Sequence, residues 1–180
     1  MKIFDRDFRE IFSAQLFSIF GGLIAGIILA VYTDKIFLVP GILIVFPGFL
    51  EMRGNISGSL ASRLSSGLFL GVIDPDKVNT GIIKGNMLAS FILVLIVSLA
   101  LGLLAFVFNF FVFKVLTPEI ILIPIIAGII ANAIEIPFTL FVTVKLFKRG
   151  HDPNNIMGPL VTSTGDVTSI LALIVAMAII

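Results

Sequence analysis

GNMLASFILVLIVSLALGLLAFVFNFFVF, residues 85–113, holds no charged side chain between Lys84 and Lys114. A helix crosses the hydrocarbon core of a bilayer with about 20 mostly apolar residues, so this run suffices for one crossing. The remainder of the chain has the same character. Of 180 residues, 58% are hydrophobic and 13% charged, and the mean hydropathy is +1.19. A soluble domain carries about 25% charged residues, so a water-soluble fold is excluded. Twelve Lys and Arg against eleven Asp and Glu give no polyanion-binding signal, and no nucleic-acid partner is expected. The absence of Cys removes a disulfide scaffold, thiolate metal sites and a Cys nucleophile. What remains is an integral membrane protein with membrane lipid around it.

Outward from residues 85–113, four more spans are predicted. The first covers 12–32 and follows a stretch with Phe4, Phe8, Ile11 and Phe12 on one face and Asp5, Arg6, Asp7, Arg9 and Glu10 around the rest. That pattern predicts a short amphipathic helix lying in the headgroup zone. The second, 36–70, carries Pro40, Pro47, Glu51, Arg53, Asn55 and Arg63 and is too polar to face lipid all round. The fourth, 120–144, is interrupted by Glu135 and Pro137, and the fifth, 158–180, contains Asp166. The expected fold class is therefore an all-α polytopic membrane protein, one transmembrane domain over 1–180 with five helices. An inside N-terminus puts nine cations (Lys2, Arg6, Arg9, Arg63, Lys77, Lys84, Lys145, Lys148 and Arg149) on the cytoplasmic side, against Lys35 and Lys114 outside. The positive-inside rule then assigns N-in, C-out, multi-pass in the cytoplasmic membrane of the cell.

Ionisable groups at bilayer depth are costly, which makes Glu51, Glu135 and Asp166 functional candidates. Arg53 is the only deep cation; two residues from Glu51, it points to another side of the helix and pairs poorly with it. On the second span Glu51, Asn55, Ser59, Ser62 and Ser66 recur at helical steps, with Gly48 upstream. On the fifth, Gly158, Thr162, Gly165/Asp166 and Ser169 do the same. Small and hydroxylated stripes also serve helix packing, but packing does not require a carboxylate in mid-span. Two oxygen-lined stripes suggest a shared, water-filled seam. His151, among Lys148, Arg149 and Asp152, reads as a surface residue.

Carboxylate, amide and hydroxyl oxygens suit a hard cation such as Mg2+ rather than Zn2+ or Cu. Mg2+ keeps several of its waters, so one or two carboxylates in a wet pore can hold it, and acidic rings select cations. The candidate metal-contacting residues are Asp166 as the principal ligand, Glu51 and Asn55 along the approach, Thr162 one turn from Asp166, and Asp152 and Glu135 besides. Mg2+ is expected as transported and bound ion, with no other cofactor. One chain supplies a single Asp166, which argues for symmetry-related copies in a homodimer.

Two stretches, PGFLEMRGNISGSLASRLSSGL (residues 47–68) and DPNNIMGPLVTSTGDVTSI (residues 152–170), resemble the membrane domain of the MgtE magnesium transporters and their eukaryotic solute-carrier relatives. They cover about a quarter of the chain. The resemblance implies a homodimer with a cation path at or near the subunit interface, lined by the second and fifth spans. The family's pore aspartate would fall on Asp166, its Gly-Asn on Gly54–Asn55, and its Asp-Pro turn on Asp152–Pro153. The chain departs from the bacterial transporters in having only a short lead-in where they carry a large cytosolic regulatory region. It departs from the eukaryotic relatives in having a single copy of the domain, so it reads as a single-copy form.

Two rival classes fit less well. Gly165-Asp166 resembles part of the Gly-x-Gly-Asp motif of aspartyl intramembrane proteases, but Ser163 takes the first glycine position and no Tyr-Asp partner exists. An enzyme is not expected. An accessory subunit whose polar stripes only bind partner helices would need a cationic partner for each deep acid, and one arginine faces three acids.

Overall fold

The computed structural model describes residues 4–180, and among these every regular element is helical. Helix α1 (Arg6–Val31) starts on Asp5, whose carboxylate accepts from Phe8 N–H at 2.9 Å. The amphipathic lead-in and the first span are thus one continuous helix, since no Gly, Pro or cap residue separates Glu10 from Phe12. A single turn, α2 (Thr33–Ile36), and a 3-10 turn at Ile42–Ile44 lead into α3 (Val45–Phe69). The second span therefore begins nine residues later than the 36–70 read from the sequence. Pro40 cannot extend a helix, and Gly41 sits in the left-handed region at φ +74°. A Cβ on Gly41 would come within 2.2 Å of Asn109 Oδ1, so the break is fixed sterically as well.

Helix α4 (Gly81–Phe113) is capped by the Thr80 hydroxyl, which accepts from Ile83 N–H, and ends at Lys114 with φ 58°. Helix α5 (Glu119–Lys148) runs unbroken through Pro124 and Pro137, so the expected interruption at Glu135 and Pro137 does not occur. In a membrane bundle, packing by neighbouring helices and Ser/Thr side chains compensates the backbone bond that Pro removes. Helix α6 (Pro153–Ile179) opens with Pro in its first turn and Asp152 as its cap.

Helix α6 packs against α1, α3 and α5, while α4 packs against α3 and α5. The starts of α1, α4 and α6 meet the ends of α3 and α5 at one end of the bundle. There Glu10 accepts from Arg6 Nε at 3.0 Å and Asp152 N–H at 3.4 Å, and lies 2.9 Å from His151 Nδ1. His151 is therefore partly buried against Glu10 rather than a free surface residue. Lys148 meets Asp76 at 2.7 Å nearby. At the opposite end Asn109 donates to Pro40 O at 3.0 Å and to Thr117 Oγ1. Close approach of α4 and α5 depends on Gly102, where an added Cβ would lie 2.6 Å from Ile121 O and 2.8 Å from Ile121 Cα. Small residues at such crossings are how membrane helices pack without a hydrophobic drive between them.

Four helices (α1, α4, α5 and α6) are long and apolar enough to cross a membrane. Large apolar side chains such as Phe20, Leu104 and Phe111 face outward from them, the pattern of a multi-pass membrane protein. Helix α3 has the length but carries a polar strip.

Candidate functional site

That strip is one wall of an open groove of about 680 Å3 between α3 and α6. From α3 come Glu51, Asn55 and Ser59, and from α6 Gly158, Thr162 and Asp166. The two helices meet closely here: a Cβ on Gly54 would be in van der Waals contact with Thr162, at 3.7 Å from its Oγ1. Below the polar strip, Ala61 clusters with Met157 and Val161 and fixes their relative position. The helical repeat read from the sequence holds on α3, where Glu51, Asn55, Ser59, Ser62 and Ser66 are all exposed. On α6 it divides. Gly158 and Thr162 are exposed and Asp166 is half-buried, whereas Gly165 and Ser169 are buried.

Within the groove Asn55 Nδ2 donates to Glu51 Oε1 at 3.0 Å, leaving the other carboxylate oxygen of Glu51 outside that bond. Thr162 Oγ1 donates to Gly158 O at 3.0 Å, so its lone pairs stay available as acceptors. No Lys or Arg among the described residues comes within 4.0 Å of Glu51 or Asp166. The two carboxylates line the same groove, Glu51 from α3 and Asp166 from α6. The groove is therefore a negatively charged, oxygen-rich trough without an internal counter-ion. Among the described residues no three His, Cys, Asp or Glu side chains converge on a common point, and the trough holds two acids.

Arg53 lies on the far side of α3, 1% exposed, with Nη1 donating to Asn132 Oδ1 of α5. Glu135, three residues on along α5, is equally buried and accepts from Thr168 Oγ1 at 2.8 Å. It stands one helical turn from Asn132, the hydrogen-bond partner of Arg53. The structure so separates Glu135 from the other candidates: it does not line the trough and sits with the buried cation. Asp152 is also apart, since its Oδ1 accepts from Asn154 N–H at 2.9 Å as the cap of α6. Glu51, Asn55, Thr162 and Asp166 are brought together. Pro47, Leu50 and Gly58 complete the lining, and nothing in their residue type marked them. Asn132 was legible in principle, because it precedes Glu135 by three and shares its helix face.

Residues 46–176 match the family described as MgtE, divalent cation transporter. The match runs from the start of α3 through nearly all of α6, and the chain belongs to this family. No solved structure matches the chain.

Proposed function

We propose that this member of the divalent cation transporters moves Mg2+ across the cytoplasmic membrane through a homodimeric pore whose wall is the α3–α6 trough. The observation that supports this is the set Glu51, Asn55, Thr162 and Asp166 on one groove with no cation to neutralise it. Uncompensated carboxylates at membrane depth are expensive unless they meet an ion or water. Asp166, at mid-helix, is the principal acidic contact, made through the waters that Mg2+ retains. Glu51 and Asn55, hydrogen-bonded to each other, line the approach, and Thr162 adds a hydroxyl one turn away. Asp152 and Glu135 act outside the path, as a helix cap and as the partner of Arg53.

In this reading α3 is the fifth crossing. Its 25 residues span about 37 Å, enough for the ~30 Å hydrocarbon core. Its polarity is tolerated because the polar face looks into the trough. The bundle end holding Arg6, Arg9, Lys77, Lys84, Lys145, Lys148 and Arg149 is the cytoplasmic one by the charge rule, with the N-terminus in and the C-terminus out. A purely accessory role is disfavoured by the same observation, since Glu51 and Asp166 have no basic partner to dock against.

The test is Mg2+ uptake into proteoliposomes. Asp166→Ala is expected to abolish uptake, and Asp166→Asn to lose most of it while keeping the helical signal and thermal stability of the parent. Wild-type uptake by a correctly folded Asp166→Ala would overturn the assignment.

A further inference from the structure

A second groove, of about 580 Å3, lies between the α5 C-terminal half, the start of α4 and the connection preceding it. Its floor is apolar: Met87 from α4 and Pro137, Leu140, Phe141 and Val144 from α5. Its mouth carries Lys145 and Lys148 from the last turn of α5, Arg149 at its C-cap, and Asp76 from the connection. Lys148 and Asp76 satisfy each other at 2.7 Å. Lys145 and Arg149 have no acidic partner among the described residues, and Lys145 Nζ hangs 5.1 Å from the Phe141 ring. The groove therefore presents two uncompensated cations over an open apolar floor.

Its length identifies what fits. Pro137 and Lys148 lie eleven residues apart on one helix, which at 1.5 Å per residue is about 17 Å. Half of a ~30 Å hydrocarbon core is about 15 Å. The groove from floor to charged mouth thus runs about one leaflet deep, with the apolar part, Pro137 to Val144, covering about 10 Å of it. The helix macrodipole favours cations in a last turn, but it does not call for an apolar channel beneath them. A soluble anion would leave that floor exposed, and a zwitterionic lipid would leave the net charge unmatched. Basic pockets between membrane helices are suited to anionic headgroups.

We propose that this groove holds one anionic phospholipid, its phosphate between Lys145 and Arg149 and an acyl chain along residues 137–144. The site lies apart from the α3–α6 trough and does not depend on which ion the protein moves.

Native mass spectrometry of the purified protein tests it, with phosphatidylglycerol or phosphatidylcholine of identical chains added. Phosphatidylglycerol is expected to be retained several-fold better. Lys145→Gln/Arg149→Gln should reduce it to the phosphatidylcholine level, while Lys35→Gln/Lys114→Gln at the other end should leave it unchanged. Leu140→Trp, which fills the floor and keeps every charge, should also reduce retention, and serves if the double variant fails to fold. Equal retention of the two lipids by wild-type protein, undiminished phosphatidylglycerol in either groove variant, or its displacement by equimolar glycerol 3-phosphate would overturn the proposal.

Discussion

Neutralising Glu135 by Glu135→Gln keeps the shape of the side chain and its capacity to accept from Thr168, but removes the negative charge buried one turn from Asn132, the partner of Arg53. Arg53 and Glu135 are each 1% exposed. Arg53 Nη1 reaches Asn132, whereas Arg53 Nε and Nη2 and Glu135 Oε2 have no hydrogen-bond partner. The pair is thus held by charge more than by bonds. No carboxylate oxygen lies within 4.0 Å of the guanidinium among the described residues. At an effective dielectric of about 20, two unit charges more than 4 Å apart attract by at most about 4 kcal/mol. Breaking a buried pair by deleting one member costs about 3–5 kcal/mol for the same reason, an uncompensated buried charge. Glu135→Gln should therefore destabilise by about 3 kcal/mol, a fall of about 6–12 °C in Tm.

Removing both charges should cost far less, because each desolvation penalty disappears with its ion. Thermal unfolding in detergent, followed by circular dichroism, closes the cycle of Glu135→Gln, Arg53→Met and the double variant. The expected coupling is at least about 2 kcal/mol, well outside the additivity of independent sites. The double variant should also carry Mg2+ near the wild-type rate. Two results would refute this reasoning: additive single losses, or a stable double variant without transport, which would make Glu135 a contact of the ion.

Acid should slow uptake, because a proton taken by Asp166 removes charge from the trough; flux at pH 7.5 against pH 5.5 measures it, and Asp166→Asn should flatten the difference. Gly102→Ala should destabilise by about 1–3 kcal/mol, since the new Cβ meets Ile121 backbone that cannot rotate aside, and Tm reports it. The hydrogen bond from Lys148, followed by its charge, holds the Asp76 carboxyl below its ordinary value. That contribution is present above the ordinary carboxylate range and is lost as pH falls through the lowered value, so in Lys148→Met the Asp76 carboxyl should titrate higher by NMR.

Helix identity was legible because bilayer length and charge exclusion act on the sequence directly: the uncharged run before Lys114 is α4, to within four residues at its start. The boundaries that failed were decided by contacts. Residues 36–44 are apolar enough to read as span, but Gly41 needs its positive φ and lies against Asn109 from a distant helix. Pro137 marks a break in isolation, and only the neighbours of α5 keep it helical. The trough followed from periodicity, since Glu51, Asn55 and Ser59 stand one turn apart and nothing bulky lies between them on that face. Glu135 was grouped with Glu51 and Asp166, though it does not line their groove, because a deep acid looks the same in sequence whether its partner is an ion or an arginine on another helix. Arg53 was the clue. Of the three deep acids, Glu135 has that cation beside it, and the choice among them required the crossing of α3 and α5.

The division of acids has a consequence for assembly. Within one chain the trough is walled by α3 and α6 alone, and its open side lies at the bundle surface. Left facing hydrocarbon, a half-buried Asp166 and an exposed Glu51 would each carry a penalty of about 2.5–3.5 kcal/mol at the bilayer centre. Burying the open side against an unlike surface would only deepen that penalty unless the surface brought cations. A second copy related by two-fold symmetry would bring two more acids and two more polar strips, so the enclosed space would be wet and strongly negative. Water and a divalent ion relieve that repulsion together, and the ion would keep part of its shell because the strips offer hydroxyl and amide oxygens rather than a tight cage. The features that make the single chain unfavourable in lipid are those that would make the proposed dimer a cation path. Glu135 lies outside the trough, with one oxygen held by Thr168.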